Sequence, residues 1–323
     1  MERCPEAVAG QLQQSDLRFV VTGGGSWLGQ ATLSLLEDVF GEETAARVAV
    51  FGSRARPLNL PSGRIIKARA LCDITALPAG RYSFLHYAFV TKARVADQPL
   101  ADYARLNREI SDLVEAAARR VDTVGFFLPS SGAVYRKDRT LHDVFEENPY
   151  GLMKLQDERR FGTLHEEIGC RVTIMRVFNL GGPYINNLES YALSSIIMNV
   201  LRGEPVRLRA NRLVFRSYVH VMDLVALALA DLLAGDGRPR EPFDTVGETV
   251  VEVGELARHV TDTMGLAEYP IERPALQAGD ADRYVGEGSQ FSSRARLLGL
   301  ALKGLQVQIE DTVADLRRRF LSL

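Results

Sequence analysis

The chain has 323 residues, 46% of them hydrophobic, enough to bury the core of one large domain or two small ones and too many for a disordered protein. Lys and Arg number 39 against 41 Asp and Glu, a formal net charge of -2, so no overall field points to nucleic acid or an anionic membrane. Cys4, Cys72 and Cys170 lack the spacing of a zinc site or a disulfide framework and read as reduced thiols; the five histidines also miss metal-ligand spacing, so no metal is expected.

Residues 1–16 are polar and mixed, without the apolar stretch of a secretory signal, and are expected to form a loose tail on a cytoplasmic protein. An apolar run at 17–21 stops at Thr22-Gly23-Gly24-Gly25, and 27–40 then carries helical spacing in Leu28, Leu33, Leu35, Leu36 and Val39. Further apolar runs at 47–51, 64–71 and 83–88 read as buried parallel strands. A helix over 101–120, a strand over 124–128, a helix over 150–168 closed by Gly169 and a strand over 172–177 continue the alternation. Strand and helix in turn predict an α/β doubly wound parallel sheet of the Rossmann type over 17–180.

Beyond Asn179 the rhythm changes. Short strands (206–208, 218–221, 243–246) mix with helices (191–201, 223–233, 253–264), so 181–323 is expected to form mainly a smaller α/β lobe, with later segments returning to the first domain. Residues 219–234 are interrupted by Asp223 and Asp231 and fall short of a membrane span of roughly 20 residues. Gly235 to Pro239 is too short to separate two domains.

The glycine cluster lies between a strand and a helix, where a tight turn offers backbone N–H groups and a helix N-terminus to a pyrophosphate. Gly23 suits the turn, Gly29 allows close helix-to-strand packing, and Ser26, Trp27 and Leu28 complete the cofactor contact, Ser26 standing where a third glycine is usual. The second strand ends in Phe51-Gly52-Ser53-Arg54-Ala55-Arg56, with no carboxylate for ribose hydroxyls. Ser53 and Arg54 suit a 2′-phosphate instead, so NADP(H) is preferred, with NAD(H) as the other cofactor admitted.

Tyr150 and Lys154 fall at i and i+4 at a helix start, on one face. The segment Pro129-Ser130-Ser131-Gly132-Ala133-Val134-Tyr135 follows a strand whose C-terminal end borders the crevice of a doubly wound sheet. With these features the sequence resembles the extended short-chain dehydrogenase/reductase family, the branch that modifies nucleotide-linked sugars. The resemblance implies a catalytic set of Ser131, Tyr150 and Lys154. Asp73-Ile74 would contact adenine, His86-Tyr87-Ala88 would lie beside the nicotinamide ribose, and Asn107 would be the family's cofactor-binding asparagine of the next helix. Arg176 to Pro183 resembles the turn into the substrate lobe, with Asn179 touching a nucleotide-diphosphate sugar. Arg216, in Arg216-Ser217-Tyr218-Val219-His220, and more weakly Arg283, would hold its diphosphate. The helices over 101–120 and 150–168 resemble those of a four-helix homodimer contact.

A tyrosine with an ordinary pKa of about 10 becomes a base near neutrality if roughly 4 kcal/mol stabilises its phenolate. A lysine ammonium about 4 Å away at an effective dielectric of about 20 supplies on the order of that, so Lys154 is expected to lower Tyr150. Gly132-Ala133 stands where family dehydratases carry an acid/base pair, which disfavours a 4,6-dehydratase. The preferred reading is NADPH-dependent reduction of a 4-keto nucleotide sugar. A 4-epimerase that retains its cofactor is the alternative, and a catalytically idle dinucleotide sensor or scaffold is a third.

Overall fold

The computed structural model describes residues 3–96, 98–234 and 241–320, so the expected short connection at Gly235 to Pro239 lies outside the described residues. In chain order the helices are α1 (Glu6–Gln14), α2 (Trp27–Phe40), α3 (Thr44–Arg47), α4 (Leu100–Arg120), α5 (Pro149–Gly162), α6 (Leu164–Ile168), α7 (Ala192–Leu201), α8 (Val221–Leu233), α9 (Val253–Thr263), α10 (Gln290–Leu297) and α11 (Leu305–Phe320). The main sheet takes β1 (Arg18–Thr22), β2 (Val48–Gly52), β3 (Arg56–Asn59), β4 (Ile65–Ala70), β5 (Arg81–His86), β6 (Asp122–Ser131) and β7 (Arg171–Val177). The remaining strands are β8 (Asn179–Gly181), β9 (Val206–Arg207), β10 (Val214–His220), β11 (Phe243–Asp244), β12 (Val250–Glu252), β13 (Ile271–Glu272) and β14 (Asp282–Tyr284).

Eight strands form one sheet in the order β11-β7-β6-β5-β1-β2-β4-β3, parallel throughout except for β3, which runs antiparallel to β4 at the edge. Alternation along β1 explains the continuous apolar runs. Phe19 and Val21 enter a core shared with α1, α2 and α8, whereas Val20 enters a second core with Phe51, Phe84, Phe126 and Phe161. Strand order reverses between β1 and β5, so the crevice of this sheet lies at their C-terminal ends.

β8, β12 and β14 pair with β10, and β9 pairs with β13. β11, in contrast, adds to the main sheet beside β7. α8 is apolar on all sides and buried along nearly its whole length, which accounts for the apolar run at 219–234. Among the described residues no helix is long and apolar enough to cross a membrane.

Two expectations are corrected. Where 1–16 reads as a loose tail, Glu6–Gln14 is a helix whose Val8 and Leu12 are fully buried against α8 and α2, with the Cys4 amide donating to Asp38 at 2.8 Å. Two apolar positions four apart suffice to fix it. The single helix read over 150–168 is two, separated at Thr163, whose hydroxyl donates to the Arg160 carbonyl at 2.9 Å and so competes with the helix ladder. Gly169 closes the second piece in the left-handed conformation, φ 70°.

Candidate active site

The glycine turn is drawn tight by bonds from the Gly23 and Gly24 amides to the Phe51 carbonyl, at 2.8 and 3.3 Å. A Cβ on Gly29 would collide with the Gly23 carbonyl oxygen and lie 2.8 Å from Gly24 Cα, so only glycine lets α2 approach β1 this closely. Ser26 is no obstruction. It is the N-cap of α2, its hydroxyl accepting from Gly29 N at 3.1 Å, which folds the side chain onto the helix start. The first amides of the helix, at Trp27 and Leu28, have no intrahelical carbonyl to reach. Trp27 itself turns away, donating from Nε1 to the Pro183 carbonyl at 2.6 Å and packing on Tyr191 at 5.5 Å between ring centroids; Leu28 packs against the core.

A cation covers this turn: a Cβ on Gly25 would collide with Nη2 of Arg56. Arg56 opens β3 on the exposed edge of the sheet, whereas Ser53 and Arg54 are exposed in the preceding bend. Sequence reasoning singled out Arg54 and missed Arg56 because the β3–β4 pairing that aims it carries no glycine or motif. Bare helix amides and close-approach glycines fit the pyrophosphate of a dinucleotide, with the Arg56 guanidinium at the edge of the turn beside Gly25. Asp73 is exposed beyond the end of β4, while Ile74 is fully buried in the second core against Phe51.

His86 is buried, sharing a 2.7 Å hydrogen bond between Nδ1 and Thr22 Oγ1, and burial, then Lys154 and Arg160, holds its pKa down at about 3. It is a neutral core residue. The Ala88 amide donates to Thr22 Oγ1 at 3.1 Å. Asn107 is also fully buried: its Oδ1 accepts from Val90 N at 2.8 Å and its Nδ2 donates to the Val90 and Tyr103 carbonyls, which anchors the loop after β5.

Ser131 is the last residue of β6, carried to the C-terminal edge by pairing with Val177 of β7. Asn148 caps α5 through Gly151 N at 2.9 Å and donates to the Ala133 carbonyl at 2.6 Å. A Cβ on Gly151 would collide with that carbonyl, so glycine there brings the start of α5, and Tyr150 with it, against the turn after Ser131. The half-buried Tyr150 phenol lies beside the Ser131 hydroxyl, which favours its ionised form. Lys154, one turn on, is buried; its Nζ donates to the Pro129 carbonyl at 3.1 Å and lies 4.0 Å over the Phe89 ring, which packs on Tyr150 at 5.7 Å. Burial lowers Lys154 to about 8, with Asp157 and Glu158 opposing.

The expected lowering of Tyr150 is not found. Burial pushes the phenol up, the neighbouring Ser131 hydroxyl opposes this, and Tyr284 and Tyr191 add to it. The Lys154 ammonium is engaged by a carbonyl and an aromatic face, and loss of water around the phenol sets the direction of the shift.

Beneath the site, Glu158 takes both arms of Arg176 at 2.9 and 2.6 Å and the Ser130 hydroxyl at 2.5 Å. Arg176 reaches Tyr135, which donates to Asp244 at 3.0 Å. This network ties α5 to the ends of β6 and β7.

On the far side Asn179 donates to the Ser217 and Tyr284 carbonyls at 3.2 and 3.0 Å, clasping β8, β10 and β14. Arg216, largely buried, forks onto Asp282, Nη2 to Oδ2 at 3.1 Å and Nη1 to Oδ1 at 3.3 Å. Alternation along β14 sends Tyr284 to the site, its hydroxyl 3.3 Å from Ser131 Oγ, and leaves the exposed Arg283 stacked on Phe215 at 4.8 Å, apart from the others. Sequence reasoning missed Tyr284, which lies 153 positions from Ser131. Among the described residues no three His, Cys, Asp or Glu side chains gather as for a metal ion.

A profile described as the NAD dependent epimerase/dehydratase family matches residues 19–243. The chain is 32% identical over 145 residues to UDP-glucuronic acid decarboxylase 6 of Arabidopsis thaliana, 41% of this chain and 42% of that protein, so the match spans about two-fifths of the relative's length. Solved structures share the fold across nearly the whole chain. UDP-N-acetylglucosamine 4-epimerase from Methanobrevibacter ruminantium, in complex with UDP-N-acetylmuramic acid, superposes with TM-score 0.71 at 16% identity over 95% of this chain and 100% of that one. UDP-glucose 4-epimerase from Thermotoga maritima, with UDP-glucose, gives 0.69 at 20% over 94% and 99%. A dTDP-glucose 4,6-dehydratase from Streptomyces venezuelae, with NAD bound, gives 0.71 at 19% over 94% and 98%. The sheet, the glycine turn and the matched profile together make this chain a member of the NAD dependent epimerase/dehydratase family, in the extended short-chain dehydrogenase/reductase branch.

Proposed function

We propose that the protein moves a hydride at a carbon of a nucleotide-diphosphate sugar, reducing a 4-keto group with NADPH. The convergence of Ser131 and Tyr150 at the C-terminal edge of the sheet, with Lys154 one turn behind, carries this reading. A nicotinamide cofactor bound at the glycine turn would supply the hydride. Ser131 holds the sugar oxygen by a hydrogen bond, and Tyr150 exchanges a proton with it. A phenol pushed up by burial keeps its proton at rest, which suits donation to a carbonyl oxygen as its charge develops. Lys154, charged below about pH 8, then stabilises the phenolate left behind. Arg56 over Gly25 supports NADP(H) over NAD(H), with Ser53 and Arg54 nearby in the chain. Arg216 and Asn179 would face the sugar nucleotide, with Tyr284 over Ser131 limiting the space for the sugar.

A 4-epimerase is the second reading, favoured by the 4-epimerase structures that share the fold. Incubation with dTDP-, CDP-, GDP- and UDP-linked sugars and their 4-keto forms, with and without NADPH, separates them. Stoichiometric NADPH oxidation supports the reductase; interconversion without net redox supports the epimerase. Tight NADP(H) binding with no turnover of any of these would overturn both in favour of an idle binder. A homodimer on α4 and α5 would join polar faces, since Arg105, Arg119 and Arg160 there sit in ion pairs with Asp102, Glu109, Asp112 and Glu115; sedimentation across salt concentrations tests it.

A further inference from the structure

Two carboxylates follow Lys154 on α5, and they are in different electrostatic states. Glu158 is matched by the guanidinium of Arg176. Asp157, only 3% exposed, accepts from the Ser111 hydroxyl of α4 at 2.8 Å through Oδ1, while its Oδ2 is buried without a hydrogen-bond partner among the described residues. Arg160, on the same helix, is bonded to Asp112 and Glu115. From α4 the other groups facing this spot are Tyr103, whose hydroxyl is also buried without a partner, and Asn107; from β5 it is His86, held neutral. Arg160 also acts on Asp157 but is shared with Asp112 and Glu115; Lys154, three residues away on the same face of the helix and outside ion-pair contact, is the cation with no carboxylate bonded to it among the described residues. A buried carboxylate and a buried ammonium each cost much alone and far less together.

We propose that Asp157 is a positioning residue for the active site, the counter-ion that keeps the Lys154 ammonium charged behind Tyr150, with Ser111 fixing the orientation of its carboxylate. This rests on the hydride-transfer reading for its consequence in catalysis, but not for the electrostatic pairing itself. Burial pushes Asp157 up to about 6, against the opposing pull of Lys154 and Ser111, and lowers Lys154 to about 8, against the opposing pull of Asp157 and Glu158. Each charge therefore favours the charged form of the other. Loss of the carboxylate removes one of the two charges that hold the proton on Lys154.

The test uses the full-length protein labelled with carbon-13 at the lysine ε-carbon, so that Lys154 titration is followed by NMR without cofactor or substrate, the resonance being assigned by its loss in Lys154→Met. In Asp157→Asn, which keeps the shape and the acceptor for Ser111, the Lys154 midpoint should fall by roughly one unit or more; in Asp157→Glu it should return most of the way. Ser111→Ala, which leaves both charges in place, should shift it in the same direction by less, and serves if Asp157→Asn does not fold. With an active sugar nucleotide, the alkaline limb of kcat/KM should move down with the NMR midpoint. An unchanged Lys154 midpoint in both Asp157→Asn and Ser111→Ala overturns the proposal. A shifted midpoint in a protein that turns over none of the sugar nucleotides leaves the pairing standing and removes the hydride-transfer reading instead.

Discussion

Replacing Arg56 with alanine should separate the two nicotinamide dinucleotides. The guanidinium lies beside Gly25 at the edge of the turn, where the proposed NADPH would bring its 2′-phosphate within reach, and the backbone pairing of Arg56 with Ala68 survives truncation. A hydrogen bond to a charged partner contributes about 1.5–3 kcal/mol. Arg56 is exposed on an edge strand, where solvent and salt weaken such contacts, so the lower end applies, about 1.5 kcal/mol or roughly tenfold in Kd. NADPH should therefore bind about tenfold more weakly, whereas NADH, lacking the 2′-phosphate, should change by less than about threefold. Arg54→Ala, in the bend before β3, should have the smaller effect. Titration of dinucleotide fluorescence at low and high salt measures both constants, and the NADPH advantage should shrink as salt rises. Equal weakening of NADPH and NADH would place Arg56 on the pyrophosphate common to both and refute the assignment to the 2′-phosphate.

Four other outcomes follow from the geometry. Asp282→Asn removes the carboxylate now held by Arg216 and should tighten binding of the cognate nucleoside diphosphate several-fold by calorimetry; weaker binding would mean that Asp282 orients the arginine instead. Leu12→Ala should lower stability to urea by about 2–5 kcal/mol, as for any fully buried leucine, whereas a loose tail would show no change. Gly29→Ala drives a Cβ into the Gly23 carbonyl and should cost about 1–3 kcal/mol together with most dinucleotide binding, both read from thermal melts with and without NADPH. His86, held at about 3 against an ordinary 6.5, takes up a proton on unfolding below pH 6.5, so its contribution to stability is present above 6.5 and is lost on acidification towards 3. A His86→Gln variant should lose that part of the acid sensitivity in urea titrations between pH 6.5 and 4, and an unchanged pH slope would contradict it.

The central strands were legible because the sheet is covered on both faces, which leaves long apolar runs at β1, β2, β5, β6 and β7 with no polar alternation to obscure them. The glycine turn and the Tyr150–Lys154 spacing were legible because each is local in sequence. What escaped reading depends on contacts distant in the chain or on very few residues. β3 has a single buried side chain, Leu58, so its four residues give no strand signal although they aim Arg56. β14 is three residues long, and Tyr284 reaches Ser131 only because that strand docks on β10. α11, with Ile309, Val313 and Leu316 buried, is amphipathic at ordinary helical spacing and could have been found from its periodicity. The direction of the Tyr150 shift was misjudged for a different reason. Spacing places Lys154 on the same face, but the carbonyl of Pro129 and the ring of Phe89 come from other elements and are what the ammonium engages.

The bond from the Trp27 indole to the Pro183 carbonyl carries a practical dividend, because Trp27 is the sole tryptophan of the chain. Its emission colour and lifetime depend on that bond and on the tilted packing against Tyr191, while its own backbone begins the helix after the glycine turn. One intrinsic fluorophore thus links the glycine turn to the segment 183–191, and stopped-flow emission can time the arrival of the proposed coenzyme and any ensuing rearrangement there without an attached dye.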